Sequence, residues 1–255
     1  DSFQEYLNKE QNDFLLLVVL DKQENTCTAL PLNRDTMTRV WQLDVNGEPS
    51  TSRIEQLCLA HTYGSGGDES CENTVRAVEN LLFGQTIDHY AALSMDAVPI
   101  LADLVGGVPV TIDTDMTAVD PRLIEGETVT LEGELALSYV RARQIVSDGT
   151  NQSRMARQEQ FLRAAWEAWR EKTASGDAVE LGTDALVSLG ERLRSDCTVQ
   201  KLSRFLERIE QCELTVLPAP AGEAKISEEN IAEFYVDDDA LEQTVLKLFY
   251  REEIS

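Results

Sequence analysis

HYAALSMDAVPILADLVGGVPVTI, residues 89–112, decides the class of the fold. HYAALS is a short apolar run of strand length. DAVPILADLV reads as a helix, and its Pro99 falls in the first turn, where a missing N–H is tolerated. Gly106-Gly107 stops that helix, because glycine adopts the left-handed backbone that helix ends favour. VPVTI follows as a second strand. A strand, a helix and a strand in so short a stretch point to an α/β protein, with helices covering a central sheet.

The pattern extends in both directions. Residues 14–20 and 26–32 read as strands around a DKQEN turn, and CENTVRAVENLLF (71–83) as a helix stopped by Gly84. LEGELALSYV (131–140) reads as a helix, followed by a long one over 151–172. Two more helices are expected over 185–195 and 199–211, then a strand at LTVLP and a last helix over 239–250. No repeat and no low-complexity linker interrupts the chain, so a single domain over 1–255 is expected.

Lys and Arg number 22 against 46 Asp and Glu, a net charge of −24. Such a surface lacks the basic footprint that nucleic-acid binding requires, so no nucleic-acid partner is expected. Two His and no CxxC leave little for a zinc site. The five cysteines are an odd number, so at least one stays outside any internal disulfide. Cys197 with Cys212, and Cys58 with Cys71, are the pairs an exported protein could form; buried thiols are the equal alternative. FLLLVVL (14–20) is too short to span a bilayer, and no signal peptide is present.

Against this acidity, SYVRARQ (138–144) opens a basic island. Residues 141–163 hold Arg141, Arg143, Arg154, Arg157 and Arg163 against only Asp148 and Glu159. Arg141 and Arg143, two apart, face the same way if the backbone is extended. On the following helix Asn151, Arg154 and Gln158 share a face that continues as Leu162, Ala165 and Trp169, which look like core. That face is polar for two turns and apolar afterwards. Guanidinium forks match phosphate oxygens, and a helix N-terminus favours anions. Two readings follow: an anion site, or arginines that pair with surface acids. NRDT (33–36) places Arg34 and Asp35 after a predicted strand, where α/β proteins gather ligands. Asp13 and Asp1 are candidate ligands for a hard cation.

In order along the chain, these pieces resemble the LytR-CpsA-Psr family. The resemblance is carried by NDFLLLVVL (12–20), PLNRDT (31–36), AHTYGSGG (60–67) with NTVRAVENLL, the stretch 87–112, LEGELALSYVRAR (131–143), SRMARQEQFL (153–162), and TVLPAPAGE and FYVDDDALEQTV in the tail. It implies a three-layer α/β/α domain with a mixed central sheet flanked by helices. It also implies transfer of a glycopolymer from a polyprenyl-pyrophosphate carrier to peptidoglycan, with Mg²⁺. The implied setting is extracytoplasmic, on a membrane anchor that precedes the present sequence together with one strand. On the matching positions, Arg34, Arg141, Arg143, Arg154, Arg157 and Gln158 correspond to the pyrophosphate grip. Asp1 and Asp13 correspond to the metal-linked carboxylates, and Asp35 to a partner that orients Arg34. Four positions depart from the family pattern: Gln11 for an Arg, Asn33 for a Pro, Cys58 and Ala60 for a Lys and an Asn, and Asn151 for an Asp. The departures at 11 and 151 support a second reading, a homologue that binds polyprenyl phosphate without turnover. A third, independent of the family, is an acidic exported interaction domain.

Overall fold

The computed structural model describes residues 8–142, 151–174 and 178–250. The chain forms two compact units, one from 1–90 with 214–255 and one from 91–213.

In the first unit, β1 (Leu15–Asp21) and β2 (Thr26–Leu32) form an antiparallel hairpin. Asp21 starts its turn by accepting the N–H groups of Gln23 and Glu24, and Asn25 takes the positive φ that closes it. A second hairpin, β3 (Met37–Leu43) with β4 (Pro49–Gln56), runs into a 3-10 turn over Leu57–Thr62. The helix predicted over 71–83 forms as α1 (Asp68–Leu81), starting a turn earlier after Gly67. It lays Ala77, Val78 and Leu81 against Leu17, Leu30, Val40 and Leu57 to make this unit's core. Fully burying a leucine such as Leu30 or Leu57 contributes about 1.5–3 kcal/mol.

The second unit begins with the stretch that sets the fold class. β5 (Ala91–Leu93), α2 (Ala97–Val105) and β6 (Val108–Thr111) form as read, with Gly106 and Gly107 at φ 86° and 92°. β6 pairs with β7 (Thr128–Leu131), and α3 (Gly133–Arg141) follows. The long helix α4 (Asn151–Ala174) is succeeded by α5 (Ala178–Leu189). The helix expected over 185–195 is corrected here. It ends at Leu189, a short 3-10 turn follows at Gly190–Arg192, and Leu193–Ser195 is strand β8, paired with β5. Gly190 at φ 48° breaks the helical periodicity. Helix α6 (Val199–Glu210) is capped by the Thr198 hydroxyl. The core of this unit gathers Val108, Val110, Ile112, Leu131, Leu135 and Tyr139, with Phe161 and Ala165 of α4 against it.

The chain then returns to the first unit. β9 (Glu213–Val216) joins β1 and β2 in a three-stranded sheet. β10 (Gly222–Ile226) and β11 (Ala232–Val236) form a hairpin, and α7 (Asp238–Phe249) starts on the Asp237 cap. A parallel bridge from Thr36 to Phe234 sets β11 beside the Arg34 turn. Helices and mixed strand pairing give the α/β class that the sequence predicts.

Candidate functional site

The expected site residues gather in one constellation in each unit. In the first unit it is built around Arg34, which is 7% exposed. The Asn33 side chain accepts the Asp35 N–H at 2.9 Å, a local turn that swings the chain off the end of β2. The Arg34 guanidinium then donates to Asp13 Oδ1 at 2.8 Å and Gln11 Oε1 at 2.5 Å, and its Nε lies 3.5 Å from Asp35 Oδ1. Asp35 also accepts from Gln56 Nε2 at 3.2 Å, and Gln56 reaches the Ala232 carbonyl at 2.6 Å. The Phe234 N–H donates to the Asp35 carbonyl at 2.9 Å, so β11 buttresses the turn. Cys58 lies against the same turn, its N–H donating to the Arg34 carbonyl at 2.9 Å. Burial pushes its thiol pKa up, while the charge and hydrogen bonding of Arg34 pull the other way.

In the second unit the constellation lies where α4 begins. Arg154, Arg157 and Gln158 are 2%, 9% and 6% exposed. Arg154 donates to Asn151 Oδ1 at 2.8 Å, and Arg157 to the Ala142 carbonyl. Gln158 Nε2 lies 3.4 Å from the Val140 carbonyl, and its buried Oε1 has no hydrogen-bond partner among the described residues. Two of the three side chains therefore address carbonyls at the C-terminal end of α3. Tyr139 braces that end: its hydroxyl donates to Gln160 Oε1, and Gln160 Nε2 donates to the Thr111 carbonyl at 2.8 Å. Burial, then the charge of Asp113, pushes the Tyr139 pKa up to about 12, and Arg157 opposes them.

The expected site residues thus separate into two sets. Asp13, Arg34 and Asp35 are brought together in one unit, and Arg154, Arg157 and Gln158 in the other. The inward polar face read on 151–158 is present. Arg141 needs correction: it is the last residue of α3, in helical rather than extended backbone, and is exposed. Arg143 and Asp1 lie outside the described residues. None of the five cysteines is in a disulfide, and all but Cys197 are buried, so the buried-thiol alternative holds over the disulfides. Gln56 was not anticipated as part of the Arg34 shell. Its bond to Ala232 joins positions 176 apart in sequence, which no local pattern encodes.

The chemistry available follows from the donors. Buried guanidinium groups and a buried amide are donors of the kind that phosphoryl oxygens accept. Asp13, with its side chain 37% exposed, offers the hard oxygen that Mg²⁺ prefers. Among the described residues no helix is long and apolar enough to cross a membrane.

Comparison with known proteins converges on one group. A polyisoprenyl-teichoic acid–peptidoglycan teichoic acid transferase TagU of Bacillus mycoides is 25% identical over 245 residues, covering 94% of this chain and 73% of the relative. The crystal structure of Bacillus subtilis TagV superposes with a TM-score of 0.69 at 23% identity, over 96% of this chain and 91% of TagV. A structure of TagT bound to LI-WTA gives 0.68 at 21% identity, over 96% and 87%. The model of the LytR_cpsA_psr family matches residues 2–248, nearly the whole sequence. The chain belongs to the LytR-CpsA-Psr family.

Proposed function

We propose that this protein transfers a glycopolymer of the teichoic-acid kind from a polyprenyl-pyrophosphate carrier to peptidoglycan. The observation that carries the reading is the burial of Arg154, Arg157 and Gln158 at the start of α4, in a chain of this family. Buried long polar side chains are costly to desolvate, and a diphosphate is the ligand their chemistry fits.

Arg154, Arg157 and Gln158 of the second unit hold diphosphate oxygens, with Arg141 and Arg143 as further cations of the same segment. In the first unit Arg34, oriented by Asp35, offers its guanidinium to phosphate, and Asp13 would hold Mg²⁺, with Asp1 as the other carboxylate the family resemblance implies. Mg²⁺ held there would supply positive charge for phosphate oxygens. A hydroxyl of the acceptor glycan attacks one phosphorus, and the other phosphate leaves with the lipid. Positioning and electrostatic stabilisation are the main contributions these residues can make to such a transfer. On this reading the protein acts outside the cytoplasmic membrane, held by an N-terminal anchor.

The test is transfer of labelled polymer from a lipid-linked donor to peptidoglycan, with Arg154→Ala as the control. Product from wild type and a loss of about a hundredfold or more in the variant are expected, the effect of removing a charge-assisted contact to phosphate. No binding of polyprenyl pyrophosphate by the wild type, with or without Mg²⁺, would overturn the assignment. One observation favours a binder without turnover. Asn151, which cannot act as a base, gives its carbonyl oxygen to Arg154. Binding without product over a long time course would establish that reading instead.

A further inference from the structure

Gln56 ends β4, and its side-chain amide stands between the Arg34 turn and β11. Its Nε2 donates to Asp35 Oδ1 at 3.2 Å and to the Ala232 carbonyl at 2.6 Å. Both neighbours are oxygens, so only the nitrogen end of an amide can face them, and its two hydrogens match the two acceptors. β11 reaches Asp35 by its main chain as well, through the Phe234 N–H, which donates to the Asp35 carbonyl at 2.9 Å. Ala232 and Phe234 are two apart in the strand, so their main-chain groups face the same edge. Asp35 is thereby held twice, its main chain by β11 directly and its carboxylate by β11 through Gln56.

The oxygen that Gln56 holds, Oδ1, is the one that lies 3.5 Å from Arg34 Nε. The side chains of this ion pair are 8% and 13% exposed, so water and salt screen it little. The Nη ends of the guanidinium are engaged separately, by Asp13 and Gln11. Asp35 therefore fixes the Nε side of the fork. Its carboxylate turns about two side-chain torsions, and the hydrogen bond from Gln56 selects the setting that keeps Oδ1 toward Nε. An arginine held in this way is fixed in direction before any ligand arrives, and preorganisation of that kind lowers the cost of binding.

We infer that Gln56 is a positioning residue for Arg34, acting through the Asp35 carboxylate and not by touching the ligand. The ligand role of Arg34 rests on the proposed function; the direction of its side chain does not. The experiment therefore has two arms. The first follows the Arg34 Nε–H by ¹H–¹⁵N NMR in ligand-free protein, assigned by its loss in Arg34→Lys. Gln56→Met keeps the length of the side chain and removes its donors. It is expected to speed exchange of this proton with water about tenfold, the value of one hydrogen bond to a charged group. Gln56→Lys, which restores a donor, is expected to return slow exchange. In an Asp35→Ala background Gln56→Met is expected to change nothing further, because its path to Arg34 is already cut. Slow exchange retained in Gln56→Met overturns the inference, as does fast exchange in wild type. A full added effect in the Asp35→Ala background also overturns it, because Gln56 would then act through Ala232 alone. If Gln56→Met does not fold, Gln56→Glu, which also lacks donors, is read in the same way. The second arm measures the affinity of inorganic pyrophosphate with Mg²⁺ by calorimetry. Weakening of about tenfold in Gln56→Met, with recovery in Gln56→Lys, is expected. Equal affinity in all three proteins, where wild type does bind, counts against a positioning role. The expected exchange pattern without pyrophosphate binding in wild type leaves Gln56 positioning Arg34 and removes the proposed ligand instead.

Discussion

Replacing Gln158 by Met separates a side chain kept for a ligand from one kept for the fold. Gln158 is 6% exposed, and its Oε1 is buried with no partner among the described residues. A buried carbonyl oxygen without a hydrogen bond costs about 1–3 kcal/mol. Its amide nitrogen lies 3.4 Å from the Val140 carbonyl, at the weak end of the range, and that bond contributes less than about 1 kcal/mol. Methionine has nearly the same length and leaves no unsatisfied oxygen. The balance favours the variant by about 1 kcal/mol, which raises the thermal midpoint by about 2–4 °C in a chain of this size. The same change removes the amide assigned to phosphate in the proposed function and is expected to weaken pyrophosphate binding about tenfold. Scanning calorimetry with and without pyrophosphate and Mg²⁺ reads both quantities on one sample. A lower midpoint with unchanged affinity refutes the reasoning, because it would make Gln158 a structural residue.

Three further outcomes follow from the same geometry. Gly107 has φ 92°, and a Cβ there would lie 2.3 Å from Thr130 Cγ2, whereas Gly126 at φ 82° faces open space. Gly107→Ala is expected to cost more than about 2 kcal/mol in urea unfolding and Gly126→Ala only about 1 kcal/mol; equal costs would refute the close-approach argument. The Tyr139 pKa stands at about 12 in the folded protein, above the ordinary value of 10. The folded state therefore holds this proton more tightly than the unfolded state. Its contribution, about 2–3 kcal/mol, is intact below pH 10 and is lost between pH 10 and 12, a loss that Tyr139→Phe should flatten in alkaline melts. Titration with a thiol reagent should give five equivalents after unfolding without reductant, with Cys197 reacting first in the native protein; fewer than five would reveal a disulfide.

Much of the fold was legible because its signals are local. The Gly106-Gly107 stop, the Asp21 turn and the amphipathic spacing of α1 all act within a few residues, and each element formed close to its expected bounds. The β3–β4 and β10–β11 hairpins were missed for a physical reason. Strand β4 has no fully buried residue and β10 is exposed throughout, so no burial imposes a period of two on them. The false helix over 185–195 has the opposite cause. Its composition suits a helix, and pairing of Leu193–Ser195 with β5, a contact about a hundred residues away, overrides that preference.

The candidate site divides along the same line. Arg154 and Gln158 could be found because a polar pair interrupts a face that is otherwise apolar, and that interruption is written in helical spacing. The Arg154 partner is local, the Asn151 side chain three residues earlier, but the one Gln158 reaches was not written there: the Val140 carbonyl becomes its neighbour through the return of α4 onto α3. Arg34 shows the same division. Its place after a strand marked it as a ligand position. Yet its orientation depends on Asp13 and Gln11, which come from another segment of the first unit. A substitution at either of these can redirect Arg34 while the motif around it reads unchanged. Motif matching therefore identifies the residues able to grip phosphate, and the acceptors around each guanidinium decide whether it is aimed to do so.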